Sequence, residues 1–250
     1  MSERPSYEAY ESKSKDERRQ IVSESGILER KRFLLSSSPE LRERMSKLQD
    51  TVYELKEKYP EIISLGLYGS FTKGYATPES DIDAKVNIDT EICVNSENPS
   101  TPEFIVEELK DRLKKDLNLN DQQVMGIQLH LFSKLDILKS INKGWGGSLS
   151  SLFLLSIGKD IDSYRRTVFD TLELMGKDGE KIWKDTMSNL AGFENIGFSY
   201  ETREKRKSLY PQTLAEGRKY FLKEEPKYME EGIFGKIKGI LQSNYAKSRK

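Results

Sequence analysis

Two aspartates, Asp81 and Asp83, are separated by a single residue in a stretch that alternates polar and apolar side chains. This alternation is typical of a half-buried strand, in which residues two apart point to the same face. The spacing therefore predicts two neighbouring carboxylates on one strand face. Proteins bind Mg²⁺ with one or two carboxylates together with the phosphate oxygens of a substrate. We expect Asp81 and Asp83 to hold Mg²⁺ or Mn²⁺ as the catalytic pair.

A second group, Gly69, Ser70 and Lys73, lies just upstream, and ten residues separate Ser70 from Asp81. Glycine lets the backbone approach a phosphate closely, and the N–H groups that begin a helix favour an anion. We expect Gly69 and Ser70 to bind the terminal phosphates of a nucleotide, with Lys73 as an auxiliary positive charge. A phosphate cradle beside a metal pair is the arrangement that nucleotidyl transfer requires.

The neighbouring pattern predicts the strands that position these groups. A short buried strand, Ile62–Tyr68, ends at Gly69-Ser70, and a loop with room for a helical turn follows from Phe71 to Ser80. The alternating stretch Asp81–Ile88 predicts the second strand. A third strand is predicted over Val124–Phe132, where apolar residues again alternate with polar ones.

Helical patterns flank these strands. Ser38-Pro39 predicts a helix start, with serine as N-cap and proline at the first helical position, and Thr101-Pro102 predicts another. Apolar residues follow each start at helical spacing: Leu41, Met45, Leu48, Val52 and Leu55 in the first helix, and Ile105, Val106, Leu109 and Leu113 in the second. From Ser148 to about Lys223 the pattern is mostly helical, with Leu152 and Leu155 among its apolar positions.

The layout of Gly69-Ser70, ten residues and Asp81-Ile82-Asp83 resembles the signature of the DNA-polymerase-β-like nucleotidyltransferase superfamily, and its short spacing is similar to that of the minimal and antibiotic-modifying branches. The resemblance covers roughly residues 38–138. It implies a nucleotidyltransferase palm that moves an NMP group from an NTP, expected to be ATP, to an acceptor hydroxyl and releases pyrophosphate. The implied acceptor is a small molecule such as an aminoglycoside, a protein hydroxyl or an RNA 3′ end.

The elements and the resemblance together predict an α/β (α+β) palm with a mixed sheet, flanked by N-terminal helices and a C-terminal helical domain. Residues 1–37 lack clean periodicity and are predicted to form a loosely helical lead-in. The nucleotidyltransferase domain is placed at 38–140, and the helical domain, which begins near a Gly-rich hinge, at 141–250.

One position departs from the family pattern. The resemblance implies a third carboxylate on the next core strand, where the outward-facing candidates are Gln128 and His130 and where Gln128 occupies the expected slot. Glutamine brings no charge to a metal and cannot act as a base. Three interpretations stay open: His130 serves as base or ligand, another acid such as Asp136 or Glu91 reaches in, or the site binds nucleotide with little turnover.

The last interpretation gives an alternative function, a non-catalytic nucleotide-binding regulatory protein of the same fold. The Gly69-Ser70 turn and both aspartates are present, and this favours the enzyme. The sequence carries no signature that identifies the acceptor.

Composition narrows the protein class. The chain has 250 residues, of which 36% are hydrophobic and 33% charged, and no apolar run approaches the ~20 residues of a membrane span. The charged N-terminal stretch lacks the apolar segment of a secretory signal, and the single Cys93 cannot form an internal disulfide. We therefore expect a cytoplasmic location. The net charge of zero combines an acidic middle with a basic C-terminal part, which tilts the expected acceptor towards RNA or protein.

Overall fold

A computed structural model describes residues 13–24, 39–95, 100–158, 160–195 and 199–224. Four strands in these ranges form one sheet: β1 (Ile62–Leu67), β2 (Ala84–Asp89), β3 (Ile127–Phe132) and β4 (Leu155–Ile157). Their order is β3-β2-β1-β4. β1 runs antiparallel to both β2 and β4, whereas β2 and β3 are parallel. The predicted mixed sheet is thus confirmed.

Helices cover the sheet and extend beyond it. Before β3 they are α1 (Lys15–Glu24), α2 (Pro39–Lys58), α3 (Gly69–Lys73), α4 (Thr90–Asn95), α5 (Pro102–Leu117) and α6 (Asp121–Val124). After β3 they are α7 (Lys134–Asn142), α8 (Gly146–Leu149), a 3₁₀ turn (Ser150–Phe153), α9 (Ile161–Met175), α10 (Lys177–Asn195), α11 (Tyr200–Lys207) and α12 (Leu214–Leu222). In the described ranges, no helix combines the length and the apolar character that crossing a membrane requires.

The predicted helix starts agree with the structure. α2 begins at Pro39, while its predicted N-cap Ser38 lies outside the described residues. At the start of α5, the Thr101 side chain accepts a hydrogen bond from the Phe104 N–H at 3.3 Å, and Pro102 needs no partner for its nitrogen.

Two apolar cores hold the fold together. The first lies between the sheet and the inward faces of α2 and α5, with Leu48, Val52 and Leu55 from α2 packed on Leu65 and Val86 of the sheet. The second joins the helices that follow β3, around the contacting rings of Phe153, Phe169 and Trp183. Burial of these side chains stabilises the fold by roughly 25 cal/mol for each Å² of apolar surface removed from water.

Three predicted boundaries are wrong. β2 begins at Ala84, so Asp81 and Asp83 precede the strand rather than lie on it, although the alternation persists because Ile82 is buried between them. The backbone at 81–83 has no regular secondary structure, and its hydrogen bonds go to separate partners: the Ile82 N–H donates to the Gln123 carbonyl and the Asp83 carbonyl accepts from Tyr68. β3 starts at Ile127 because Asn120 caps the short α6, which includes Val124. The turn after β1 is helical from Gly69 onward.

The segment that follows the predicted boundary at 140 is not wholly helical. Leu155 belongs to β4, which pairs with β1 through Leu67↔Leu155 and Leu65↔Ile157. A strand of three residues is too short for its periodicity to be distinguished from that of a helix. The sheet that supports Asp83 therefore includes a strand from the C-terminal part of the chain.

Candidate active site

Gly69 and Asp83 lie against each other at the end of β1. The Tyr68 N–H donates to the Asp83 carbonyl at 3.0 Å and joins the two segments. Gly69 has φ of 73°, in the left-handed region, and a Cβ at this position would lie 1.9 Å from Asp83 Oδ2. Only glycine fits here, because any side chain would both strain the backbone and displace the carboxylate.

Ser70 presents a hydroxyl to the same place. The residue is 4% exposed, and its Oγ has no hydrogen-bond partner among the described residues. Leaving a buried hydroxyl without a partner costs about 1–3 kcal/mol, so such an atom indicates a ligand. Ser70 also lies in the first turn of α3, whose N-terminus has no side-chain cap. The hydroxyl and these N–H groups suit a phosphate oxygen.

Lys73 is the last residue of the short helix α3, and its side chain is buried. It is 2% exposed, and its Nζ lies 5.9 Å from the centre of the Tyr75 ring. Burial raises the pKa of Asp83, and the charge of Lys73 opposes this rise, so the ammonium group lies within electrostatic range of the carboxylate. Lys73 thus lines the same pocket as Gly69, Ser70 and both aspartates, and its role as an auxiliary positive charge stays a prediction.

The electrostatics of the aspartate pair favour a bound cation. Burial raises the pKa of Asp83, the neighbouring Asp81 raises it further, and Lys73 and Lys15 oppose the shift. The two carboxylates also help to raise the pKa of Tyr68, after the larger effect of burial. A divalent ion would remove this repulsion. Two convergent carboxylates with room for phosphate oxygens fit the ligand preferences of Mg²⁺.

Polar side chains from three helices hold the loop that carries Asp81. Arg18 of α1 donates from Nη1 to the Ala76 carbonyl at 2.6 Å, and Arg44 of α2 donates from Nη2 to the Pro78 carbonyl at 2.9 Å. Gln123 donates to the same Pro78 carbonyl at 2.8 Å. Three separate elements therefore fix the loop, and this limits the positions that the aspartates can adopt.

Of the predicted site residues, Gly69, Ser70, Lys73, Asp81 and Asp83 line one pocket, which also takes side chains from outside the predicted domain. Its described lining consists of Lys15, Arg19, Tyr68, Gly69, Ser70, Lys73, Tyr75, Asp81, Asp83 and Phe193. The sequence analysis missed Lys15 and Arg19, which come from the predicted lead-in, and Phe193, which comes from α10. The four-residue spacing of Lys15 and Arg19 was a usable signal, since it places both on one helix face. Phe193 has no comparable signal.

Gln128 lies near the pair but does not line the pocket in the described part of the chain. The residue beside Asp83 on the neighbouring strand is Gly126, where a Cβ would lie 3.0 Å from Asp83 Oδ1. Gln128 is two residues further, about 7 Å along the strand. There its side-chain oxygen accepts a hydrogen bond from Lys85, whose pKa is lowered by burial.

His130 belongs to a polar network on the same face of the sheet. Its Nδ1 lies 2.8 Å from Asn87 Oδ1 and 2.9 Å from Ser151 Oγ. Because the Asn87 amide donates to Ser64 Oγ, its oxygen is free to accept, and Nδ1 of His130 is assigned the proton. Burial lowers the pKa of His130 to about 4, with help from the charge of Lys85. The imidazole is therefore neutral at pH 7. His130 pairs in register with Asn87, four residues after Asp83, and so lies about 13 Å along the strands from that carboxylate.

The two other acids considered as substitutes lie at the opposite end of the sheet. Asp136 accepts from Ser133 Oγ at 2.8 Å, and Glu91 accepts from the Leu135 N–H at 3.3 Å. Glu91 follows the carboxyl end of β2, and Asp136 follows the carboxyl end of the parallel strand β3. Asp83 lies before the amino end of β2, so the six residues of this strand, about 20 Å, separate it from both acids. Among the described residues, no group of three or more His, Cys, Asp or Glu side chains is arranged to hold a metal.

Comparison with known proteins agrees with this geometry. Residues 50–143 match the family described as Polymerase beta, Nucleotidyltransferase, a range that contains the Gly69-Ser70 turn, both aspartates and β1 to β3. Searches of curated proteins and of solved structures returned no match. The family match supports the assignment of residues 50–143 to the DNA-polymerase-β-like nucleotidyltransferase superfamily.

Proposed function

We propose that the protein is a metal-dependent nucleotidyltransferase, which moves an NMP group from an NTP to an acceptor hydroxyl and releases pyrophosphate. The observation that carries the proposal is the contact between Gly69 and Asp83, with the unpartnered hydroxyl of Ser70 in the same pocket. This contact joins the residues suited to phosphate with those suited to a divalent cation.

Each residue has a distinct part in the proposed reaction. Asp81 and Asp83 hold Mg²⁺ or Mn²⁺, and the ion neutralises charge on the phosphates when it is bound. Ser70 donates its hydroxyl hydrogen to a phosphate oxygen, and Lys73, whose side chain is buried, adds a fixed positive charge. The acceptor hydroxyl attacks the α-phosphorus in line with the departing pyrophosphate.

Two aromatic rings favour a nucleotide over a simple polyphosphate. Tyr68 and Phe193 line the pocket, and their ring centres are 5.9 Å apart. A base can stack on such rings with little dependence on its identity. We propose that the base lies against Phe193, with ATP as the expected donor.

The alternative is a regulatory protein that binds nucleotide without transferring it. The position of Gln128 favours this alternative, since its side chain is bonded to Lys85 and supplies no carboxylate. General base catalysis contributes about 10²- to 10⁴-fold to typical enzymatic rates. Without a third acid, proton removal from the acceptor falls to the two aspartates or to water, and we expect slow turnover.

Label transfer from α-³²P NTPs tests the proposal. The full-length protein is incubated with each NTP, Mg²⁺ or Mn²⁺ and the separated protein, RNA and small-molecule fractions of a cell extract. We expect label in one fraction, which identifies the acceptor class. The Asp81→Asn, Asp83→Asn double variant should lose this label.

A matched control is available in Asp111 and Asp121, two exposed aspartates that share Lys114 Nζ at 2.8 and 3.0 Å. Neither lines the described pocket, so their double change to asparagine removes the same charge outside it and should leave labelling intact. Metal-dependent NTP binding without any label transfer would instead establish the regulatory protein. Neither binding nor transfer would overturn both functions.

A further inference from the structure

Helix α1 turns a cationic face towards the proposed nucleotide pocket. Lys15 and Arg19 are four residues apart, so they lie one above the other on the same side of the helix. Both line the pocket together with Ser70 and Asp83. Among the described lining residues, Lys15, Arg19 and Lys73 outnumber the two carboxylates, which gives the pocket a surplus of positive charge.

Arg18 anchors this helix to the body of the domain. It is 3% exposed, and its Nη1 donates to the Ala76 carbonyl at 2.6 Å while its Nε donates to the Lys13 carbonyl at 2.9 Å. The helix start is closed by reciprocal bonds, in which the Ser14 N–H donates to Glu17 Oε2 and the Glu17 N–H to Ser14 Oγ. These contacts position α1 over the loop that carries Asp81.

Arg19 keeps donor capacity for a ligand. Its guanidinium lies 5.2 Å from the centre of the Tyr75 ring, and Nη1 is 3.3 Å from Asp16 Oδ1. Its Nε is buried and has no hydrogen-bond partner in the described part of the chain. The buried hydroxyl of Ser70, which lines the same pocket, is also without a partner there. Two unsatisfied donors in the lining of one pocket indicate a ligand with several acceptor oxygens.

A polyphosphate meets this requirement. Guanidinium and ammonium groups bind phosphate oxygens through charge-assisted hydrogen bonds, and arginine can do so with two parallel bonds. We propose that Lys15 and Arg19 bind the terminal phosphates of the nucleotide, so that α1 makes the protein selective for triphosphates over monophosphates. This inference rests on the proposed nucleotide site, to which it adds the element that recognises the length of the phosphate chain.

Calorimetric titration of the full chain tests the inference. The α,β-methylene analogues of the four NTPs are titrated in Mg²⁺, and the tightest is compared with the corresponding monophosphate. In the Lys15→Ala, Arg19→Ala variant we expect triphosphate affinity to fall about tenfold or more, since hydrogen bonds to charged groups are strong. Monophosphate affinity should change less than about twofold, because a monophosphate lacks the terminal phosphates that Lys15 and Arg19 are proposed to bind. The Lys15→Arg, Arg19→Lys variant should retain the preference.

Lys47 and Lys207 supply the control. Each is exposed and paired with a carboxylate of its own helix, at 2.9 Å to Glu43 and 2.7 Å to Glu204. Their double change to alanine removes the same charge as the test variant, and triphosphate affinity should not change. Thermal melting of every variant verifies that it is folded.

Three results would overturn the inference while leaving the proposed function in place: unchanged triphosphate affinity, an equal loss for both nucleotides, or tighter binding. The last would show that Lys15 shields the aspartates from a metal instead of serving the substrate. If the wild-type protein binds none of the nucleotides, the proposed function is overturned, and the inference about α1 is overturned with it.

Discussion

The carboxylate of Asp83 occupies the space that a side chain at Gly69 would need. A Cβ on Gly69 falls 1.9 Å from Asp83 Oδ2, and the φ of 73° at Gly69 disfavours other residues as well. The turn proposed to bind phosphate and the group proposed to bind metal are thus in direct contact. A change in either one must displace the other.

Gly69→Ala should therefore abolish label transfer and weaken Mg²⁺-dependent nucleotide binding. The added methyl group forces Asp83 to move and holds the backbone in an unfavourable region, which costs about 1–3 kcal/mol of unfolding free energy. Urea denaturation measures the loss of unfolding free energy, and calorimetry measures the weaker nucleotide binding.

Gly192→Ala is the control for this substitution. Gly192 lies within α10, and a Cβ there meets nothing within 4 Å. Alanine in a helix is favoured over glycine by roughly 0.5–1 kcal/mol, so this variant should be as stable as the wild type or more so. Full activity in Gly69→Ala would contradict the proposed contact between the two groups.

Asp83→Asn should stabilise the metal-free protein while it removes the response to Mg²⁺. Burial and the charge of Asp81 raise the pKa of Asp83, which means that the folded state favours the protonated form. The contribution of Asp83 to the unfolding free energy in EDTA therefore falls as the pH rises above the ordinary range of an aspartate, and asparagine avoids this loss, so the variant should gain stability relative to the wild type between pH 4 and pH 7. Unfolding in urea at pH 4 and pH 7 measures the difference.

Addition of Mg²⁺ and nucleotide should raise the melting temperature of the wild type and leave that of Asp83→Asn unchanged. The exposed Asp111→Asn variant should behave as the wild type in both experiments. An Asp83→Asn protein that is still stabilised by Mg²⁺ would argue against Asp83 as a metal ligand.

The stability of the fold should decrease in mildly acidic solution because of His130. Its pKa falls from 6.5 to about 4 on folding, so the unfolded chain binds more protons between these values. Stability from the neutral imidazole is present in full above pH 6.5 and is lost as the pH falls towards 4, by up to about 3 kcal/mol. Urea unfolding of the wild type across this range measures the loss.

His130→Gln isolates this contribution, because glutamine does not titrate and the other acidic groups remain. The variant should show a smaller decrease in unfolding free energy between pH 6.5 and 4 than the wild type. Equal slopes for the two proteins would contradict the neutral, buried state of His130.

Gln128→Ala should leave label transfer within about threefold of the wild type, because surface substitutions that touch no reacting group have small effects. Its side chain is exposed and bonded to Lys85 rather than directed at the pocket. The rate of transfer at saturating NTP is the measurement. A loss of a hundredfold or more would place Gln128 in the reaction and revive it as the third member of the site.

Much of the fold was predictable because its signals are local. Proline and threonine at the starts of α2 and α5 set the helix ends, and apolar residues at helical spacing mark the faces that pack on the sheet. By contrast, the short β4 carries too few residues for a periodic signal, and its pairing with β1 is decided by contacts between distant parts of the chain.

The amino-acid sequence alone was enough to predict the residues of the candidate site: glycine and serine at the end of one strand and two aspartates before the next. Their spacing is set by one short loop, so local geometry is enough to bring them together. The residues that surround them come from distant parts of the chain and are brought there by the packing of the whole fold. Docking of α1 through Arg18 adds Lys15 and Arg19, and packing of α10 adds Phe193. The parallel register of β2 and β3 places Gly126, not Gln128, beside Asp83, because register depends on pairing between strands that no single segment encodes.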